Sequence, residues 1–205
     1  GRAGLFPNSH TLDHFWENIV AQRDMTSDAT TKRWRLNPRS VLSSGTEPNN
    51  TVRTLRGGYI HDEPAFNASG LNLTSTEVST LDTIHRWVLH TAMGALSDGA
   101  AIDPSRTGLI LGNLSFPTDS MSALAEEMWF PGLPKGTREV HPSHRFMSGR
   151  PALLAKKAFE LGGPAWALDC ACASGLIAIQ QGCEALTTGK INAVLAGAVN
   201  RADGL

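Results

Sequence analysis

A chain of 205 residues with 41% apolar and 18% charged side chains is long enough for one sizeable core and ordinary in composition for a globular protein. Its formal charge of −1 leaves no footprint for nucleic acid or an anionic membrane surface. No apolar run reaches membrane-spanning length, and the N-terminus carries no signal-type apolar segment. The three cysteines, Cys170, Cys172 and Cys183, are odd in number and clustered, without zinc-type spacing, and Cys170 and Cys172 lie too close in a strand-turn for an easy bridge. That pattern predicts a reducing, cytoplasmic compartment and argues against a disulfide framework or a metal site.

Taken in chain order, Leu12, Phe15, Trp16, Ile19 and Val20 fall on one helical face, with Ser9 or Thr11 as the N-cap, and predict a surface helix packed on a core. Residues 25–50 are polar and turn-rich and contain Lys32-Arg33-Trp34-Arg35. That basic cluster reads either as a solvated loop or as a contact for an acidic partner. Gly57-Gly58 marks a turn or bulge. Thr74 and Glu77 form a capping box. Val78, Leu81, Ile84, Val88, Ala92 and Leu96 then predict a helix that continues to about Asp98-Gly99. Residues 107–112 read as an apolar strand, Ser120–Phe130 as a helix stopped by Pro131, and residues 130–142 as a loop. Leu153, Leu154, Ala158 and Leu161 predict a further short helix.

The most informative stretch is Ala165–Val199. Trp166, Ala167 and Leu168 read as a strand, and Gly162-Gly163-Pro164 bounds it upstream. Leu176, Ile179, Cys183 and Leu186 recur at helical spacing, so a buried apolar helix is expected there. Gly189 is placed to cap that helix. Residues 191–199 are almost wholly apolar, as a strand covered on both faces is. A strand, helix and strand in this order belong to an α/β fold. Cys172 falls at the turn between the first strand and the helix, where unpaired N–H groups and the helix dipole favour thiolate over thiol. Ala171, Ala173 and Gly175 leave room for a substrate. Two readings fit Cys172 on pattern alone: an activated nucleophile, or a small buried hydrophobe. Asp169 and Ser174 read as turn and helix-start residues rather than as a catalytic acid and a nucleophile, there being no Gly-x-Ser-x-Gly elbow. Neither Gly-x-Gly-x-x-Gly nor a Walker pattern occurs, so nucleotide binding has no support. His85 and His90 lack the spacing of a zinc-binding helix.

Leu168-Asp169-Cys170-Ala171-Cys172-Ala173-Ser174-Gly175-Leu176 resembles the nucleophile motif of β-ketoacyl synthases, usually an Asp-Thr-Ala-Cys-Ser-Ser-type run. Leu195-Ala196-Gly197-Ala198-Val199-Asn200 is similar to the strand that follows it in that family. Gly4-Leu5-Phe6-Pro7 with Phe15-Trp16, Gly57-Gly58-Tyr59-Ile60, and Arg106-Thr107-Gly108 with Gly112 match further motifs in the same order over essentially the whole chain. Asn113-Leu114-Ser115-Phe116-Pro117 and Arg145-Phe146-Met147-Ser148-Gly149 resemble the subgroup in polyunsaturated-fatty-acid and glycolipid synthases.

The resemblance implies a thiolase-like α/β fold and a decarboxylative Claisen condensation. In that reaction Cys172 accepts an acyl group from an acyl carrier protein's phosphopantetheine, and a malonyl thioester then extends it. It implies no directly bound cofactor or metal, a homodimer, and partners limited to the carrier protein and the two thioesters, with no nucleic acid and no membrane. The basic cluster at residues 32–35 then has the carrier protein as its candidate acidic partner. Two departures stand out. Cys170 occupies the usual threonine position, and the family's two C-terminal histidine motifs are absent. Residues 1–205 therefore read as a partial N-terminal domain of a longer protein, unable by itself to condense and expected to aggregate when isolated. Two alternatives remain at this stage: a non-catalytic condensing-like module that binds a carrier or sets chain length, and a cysteine thioester hydrolase using His141 or His144.

Overall fold

The structure is a computed structural model that describes residues 1–34, 37–43, 45, 51–114, 128 and 149–201. The expected helix at Ser120–Phe130 (Met128 apart), the loop at residues 130–142, and His141 and His144 lie outside the described residues. The chain forms two compact units, one of residues 3–65 and one of residues 1–2 and 66 onward.

In the smaller unit, helix α1 spans Leu12–Val20. Its N-cap is Thr11, whose hydroxyl accepts from His14 N–H at 3.2 Å. Ser9, the other candidate cap, is buried instead and accepts from Asn18 Nδ2 at 2.8 Å. The helix is anchored through Leu12, Phe15 and Asn18. Phe15 stacks on Phe6 with ring centroids 3.9 Å apart. Trp16, Ile19 and Val20, expected on the packed face, are exposed. Spacings of three and four set the helical period but leave open which sector of the circumference meets the core.

Strands β1 (Ser27–Asp28) and β2 (Arg56–Gly57) pair antiparallel, with Ser27 opposite Gly57. In the basic cluster, helix α2 (Thr31–Trp34) buries Trp34 edge-on to Tyr59, while the Arg33 guanidinium lies 5.5 Å from the Tyr59 ring centroid. Arg56 pairs with Asp24. The Asp24 carboxyl is held below its usual range by hydrogen bonds from the Thr26 hydroxyl and backbone N–H, helped by Arg56.

The larger unit carries the site. Helices α3 (Ser75–Ser79) and α4 (Thr83–Asp98) replace the single helix expected over residues 74–98. The capping box is present as expected, with Glu77 N–H donating to Thr74 Oγ1 and Thr74 N–H to Glu77 Oε2. The break falls at Thr80–Asp82. Asp82 takes extended dihedrals as the N-cap of α4, and Leu81 turns into the core with 1% exposure. Thr and Asp are residues that favour a cap over a helix interior, and burial of Leu81 rewards the bend.

Strand β3 (Thr107–Asn113) is buried along its whole length and is the centre of a parallel sheet of order β4-β3-β5. Strand β4 is Ala165–Leu168 and β5 is Ala193–Val199. Ile110 registers with Trp166 and Ala196, and Gly112 with Leu168 and Ala198. Side chains alternate between the two faces. Leu109 and Leu111 join the core built by Leu81, Val88 and Leu89 together with Ala152, Leu154, Ala155 and Ala158 of helix α5 (Arg150–Ala158). Leu153 lies on the exposed side of this helix, and Leu161, expected within the helix, lies beyond its end and is buried in the same core.

The opposite sheet face receives helix α6 (Ser174–Thr187). Here the expectation is reversed. Leu176 is 73% and Ile179 50% exposed, and Cys183 and Leu186 are also exposed. The face against the sheet is made of Ser174, Ala178 and Gly182. A Cβ at Gly182 would lie 3.2 Å from Val194 Cγ1 and 3.4 Å from Ala196 Cβ, so small residues permit the close approach. Gly189 ends the helix as expected, at φ +68°, with its N–H on Leu186 O. Strand β5 starts at Ala193 rather than Ile191; among the described residues it is an edge strand, with Ala196 and Ala198 exposed rather than covered on both faces.

Candidate active site

Strand β4 delivers the chain to a tight turn immediately before α6. Asp169 Oδ1 accepts from Ala171 N–H at 3.0 Å, the Asx-type contact its side chain favours. Ala171 sits at φ +50°, in the left-handed region that L-residues rarely enter. Ala173 N–H then donates to Cys170 O at 3.1 Å, and Ala171–Ala173 form a turn of 3₁₀ helix that runs into α6.

Ser174 fastens this turn from below. Its hydroxyl accepts from Cys170 N–H at 2.9 Å and donates to Ala171 O at 2.7 Å, and the residue is only 4% exposed. Beneath it lies Gly112 of β3. A Cβ there would stand 2.8 Å from both Ser174 Cβ and its carbonyl carbon, so only glycine admits the serine at this depth. Asp169 and Ser174 thus act as turn-forming residues, as expected from the sequence.

Within this frame Cys172 is exposed, as are Cys170 and Cys183. The alternative that Cys172 is a small buried hydrophobe does not hold in this structure. The N–H groups of Cys170, Ala171, Ala173 and Ser174 are all engaged within the turn, whereas no acceptor for Cys172 N–H is found among the described residues. That N–H belongs to the residue whose sulfur is presented, which is where an oxyanion would need a donor. The arrangement pairs an accessible thiol with a backbone N–H that has no acceptor among the described residues, on a turn fixed from both sides.

Of the histidines, His10 and His14 are exposed, and His61 Nε2 lies 2.8 Å from Ser27 Oγ in the smaller unit. His85 is buried in α4. None is a hydrogen-bond partner of Cys172 among the described residues. Among those residues no helix is long and apolar enough to cross a membrane, and no group of three or more His, Cys, Asp or Glu side chains could hold a metal ion. Gly112 as a close-approach position, and the small-residue face of α6, were missed in the sequence. The signal was present: Gly175, Ala178 and Gly182 recur at spacings of three and four, the same period as the large apolar residues beside them.

A buried parallel strand between two others, helices on both faces, and a cysteine on the strand-to-helix turn define an α/β domain of the thiolase-like class. The chain belongs to the β-ketoacyl synthase family: residues 1–203 match the model described as "Beta-ketoacyl synthase, N-terminal domain". It is 31% identical over 199 residues to the non-reducing polyketide synthase adaA of Aspergillus niger, covering 94% of this chain and 10% of that protein. It is 28% identical to the non-reducing polyketide synthase VdtA of Byssochlamys spectabilis, covering 98% of this chain and 8% of that protein. Among solved structures, the PfaC keto synthase–chain length factor superposes with a TM-score of 0.88 at 34% identity, over 99% of this chain and 24% of that one. A ketosynthase domain of the oxazolomycin system of Streptomyces albus shares the fold, with a TM-score of 0.77 at 24% identity. The chain therefore spans about a tenth of the length of these curated relatives and 24% to 35% of the two solved chains.

Proposed function

We propose that this chain provides the acyl-accepting part of a ketosynthase, with Cys172 as its nucleophile. The observation that carries this reading is the exposed Cys172 on a turn locked by Asp169 and Ser174, its own N–H having no acceptor among the described residues. The thiolate attacks the carbonyl carbon of a carrier-bound acyl thioester, and Cys172 N–H donates to the oxyanion of the tetrahedral intermediate. Collapse expels the phosphopantetheine thiolate and leaves the acyl group on sulfur. Decarboxylation of a malonyl thioester then supplies a carbanion that attacks the acyl-cysteine, giving a 3-ketoacyl product two carbons longer and freeing the thiolate. This second half-reaction needs groups that polarise the malonyl carbonyl. By the resemblance they are histidines of motifs this chain does not contain, so the chain by itself accepts acyl groups without condensing them.

An acyl carrier protein, its acyl and malonyl thioesters and a second copy of the protein are the proposed partners. The proposed setting is cytoplasmic fatty-acid or polyketide biosynthesis, with no bound cofactor required. The test uses the full protein that contains this chain. Cys172→Ala should abolish both the mass increase on incubation with an acyl thioester and the condensing activity. Retention of condensation by that variant would remove Cys172 from the mechanism.

A further inference from the structure

Two thiols, not one, stand on the turn. Cys170 and Cys172 are both exposed and are separated only by Ala171, whose φ of +50° curls the chain between them. The Ala173 N–H to Cys170 O bond closes the same turn around both residues. Two residues of chain reach at most about 7 Å even when extended, and a curled turn brings the Cα atoms closer, into the ~4.4–6.8 Å range that a disulfide spans. The backbone is held there at Cys170 N–H by Ser174 and at Ala171 N–H by Asp169. Cys183 is no competitor, since it lies about 13 Å of helical rise beyond Ser174 along α6. The acyl-transfer reading uses Cys172 and leaves Cys170 without a task.

We infer that Cys170 and Cys172 form a hydroperoxide-responsive dithiol, in which Cys170 resolves oxidation of Cys172 into a reversible disulfide. The inference rests on the reading of Cys172 as the reactive thiol of the proposed function. The Cys172 thiolate attacks the terminal oxygen of the hydroperoxide: an S–O bond forms and the O–O bond breaks. The sulfur loses two electrons to become a sulfenic acid, and the peroxide leaves as hydroxide or alkoxide, which takes up a proton. The Cys170 thiolate, its proton released to solvent, then attacks the Cys172 sulfur. An S–S bond forms, the S–O bond breaks, and the departing hydroxide is protonated to water. The short loop constrains the geometry of the bridge, which makes it readily reduced by small dithiols. Without Cys170, a second hydroperoxide would carry the Cys172 sulfenic acid to the irreversible sulfinic state.

The experiment treats the full protein with hydrogen peroxide, alkylates free thiols with iodoacetamide and digests with trypsin. Residues 158–190 leave as one peptide containing all three cysteines. The expected wild-type product carries a single carbamidomethyl group, at Cys183, and a 170–172 bridge that dithiothreitol opens to give three alkylated cysteines. In Cys170→Thr the same treatment should instead give Cys172 with two added oxygens that dithiothreitol does not remove, with recovery of free Cys172 at least tenfold lower than in wild type. Direct conversion of wild-type Cys172 to the sulfinic acid, a bridge to Cys183, or equal recovery in Cys170→Thr would each overturn the inference. Acylation of untreated protein by an acyl thioester is measured in parallel. Acylation of Cys172 without a bridge sinks the dithiol alone, whereas no acylation sinks the nucleophile reading on which it rests.

Discussion

Ser174→Ala is the substitution that most directly probes how the turn presents its cysteine. It removes one oxygen that holds two backbone groups: Cys170 N–H at 2.9 Å and Ala171 O at 2.7 Å. Ser174 itself is 4% exposed, and the two bonds it makes to the turn are part-buried. Cys170 N–H loses its acceptor while Ala171 O keeps the Ser174 backbone N–H, so one group is left unsatisfied at a cost of about 1–3 kcal/mol, concentrated in the turn rather than spread through the core. If as little as ~1.4 kcal/mol of that is lost from the transition state for acyl transfer, acylation slows about tenfold. The assay is the rate of mass increase at Cys172 with an N-acetylcysteamine thioester in the full protein, alongside the urea midpoint of unfolding. The expected result is acylation slowed by one to two orders of magnitude together with a lowered midpoint. Acylation within twofold of wild type and an unchanged midpoint would show that the Ser174 hydroxyl neither orders the turn nor supports the fold.

Gly112→Ala puts a methyl group 2.8 Å from Ser174 Cβ, well inside contact distance, and should cost about 1–3 kcal/mol by overpacking while slowing acylation of Cys172 in parallel; calorimetry and the same thioester assay read both. Lys157, through its hydrogen bond to the carboxylate, and then Thr74 N–H hold Glu77 down to a pKa of about 2 from its usual 4.5. Its contribution to stability is therefore present above about pH 4.5 and is lost as pH falls towards about 2. Glu77→Gln should flatten that part of the stability–pH curve, and an equally steep curve in the variant would refute the assignment. The exposed Trp16, Ile19, Leu176 and Ile179 should make the isolated 205-residue chain self-associate. Light scattering should show less association in Leu176→Gln/Ile179→Gln, and a monomeric, cooperatively unfolding wild-type chain would contradict the expectation.

Much of the site was legible in the residues themselves. The order of strand, turn, helix and strand, the cap at Gly189, the capping box at Thr74 and Glu77, and the placing of Cys172 at the turn all follow from local chemistry: small residues, side-chain oxygens and helical spacing. Local chemistry acts over three or four residues, and those signals were read correctly. The depth at which an element packs is a different matter. Periodicity reports the period of a helix and is silent on which sector is buried, because that sector is selected by the surface it meets. In α6 the sheet offers Gly112, Val194 and Ala196, so the small residues approach and the large apolar ones face away. In α1 the same ambiguity left Trp16, Ile19 and Val20 outside. The break at Thr80–Asp82 also came from tertiary structure, through burial of Leu81 against residues far along the chain. The placing of Cys172 on the strand-to-helix turn was thus a property of the sequence. Only the fold brought Ser174 of α6 onto Gly112 of β3, because two residues so distant in the chain can be matched in size only once the helix has docked on the sheet.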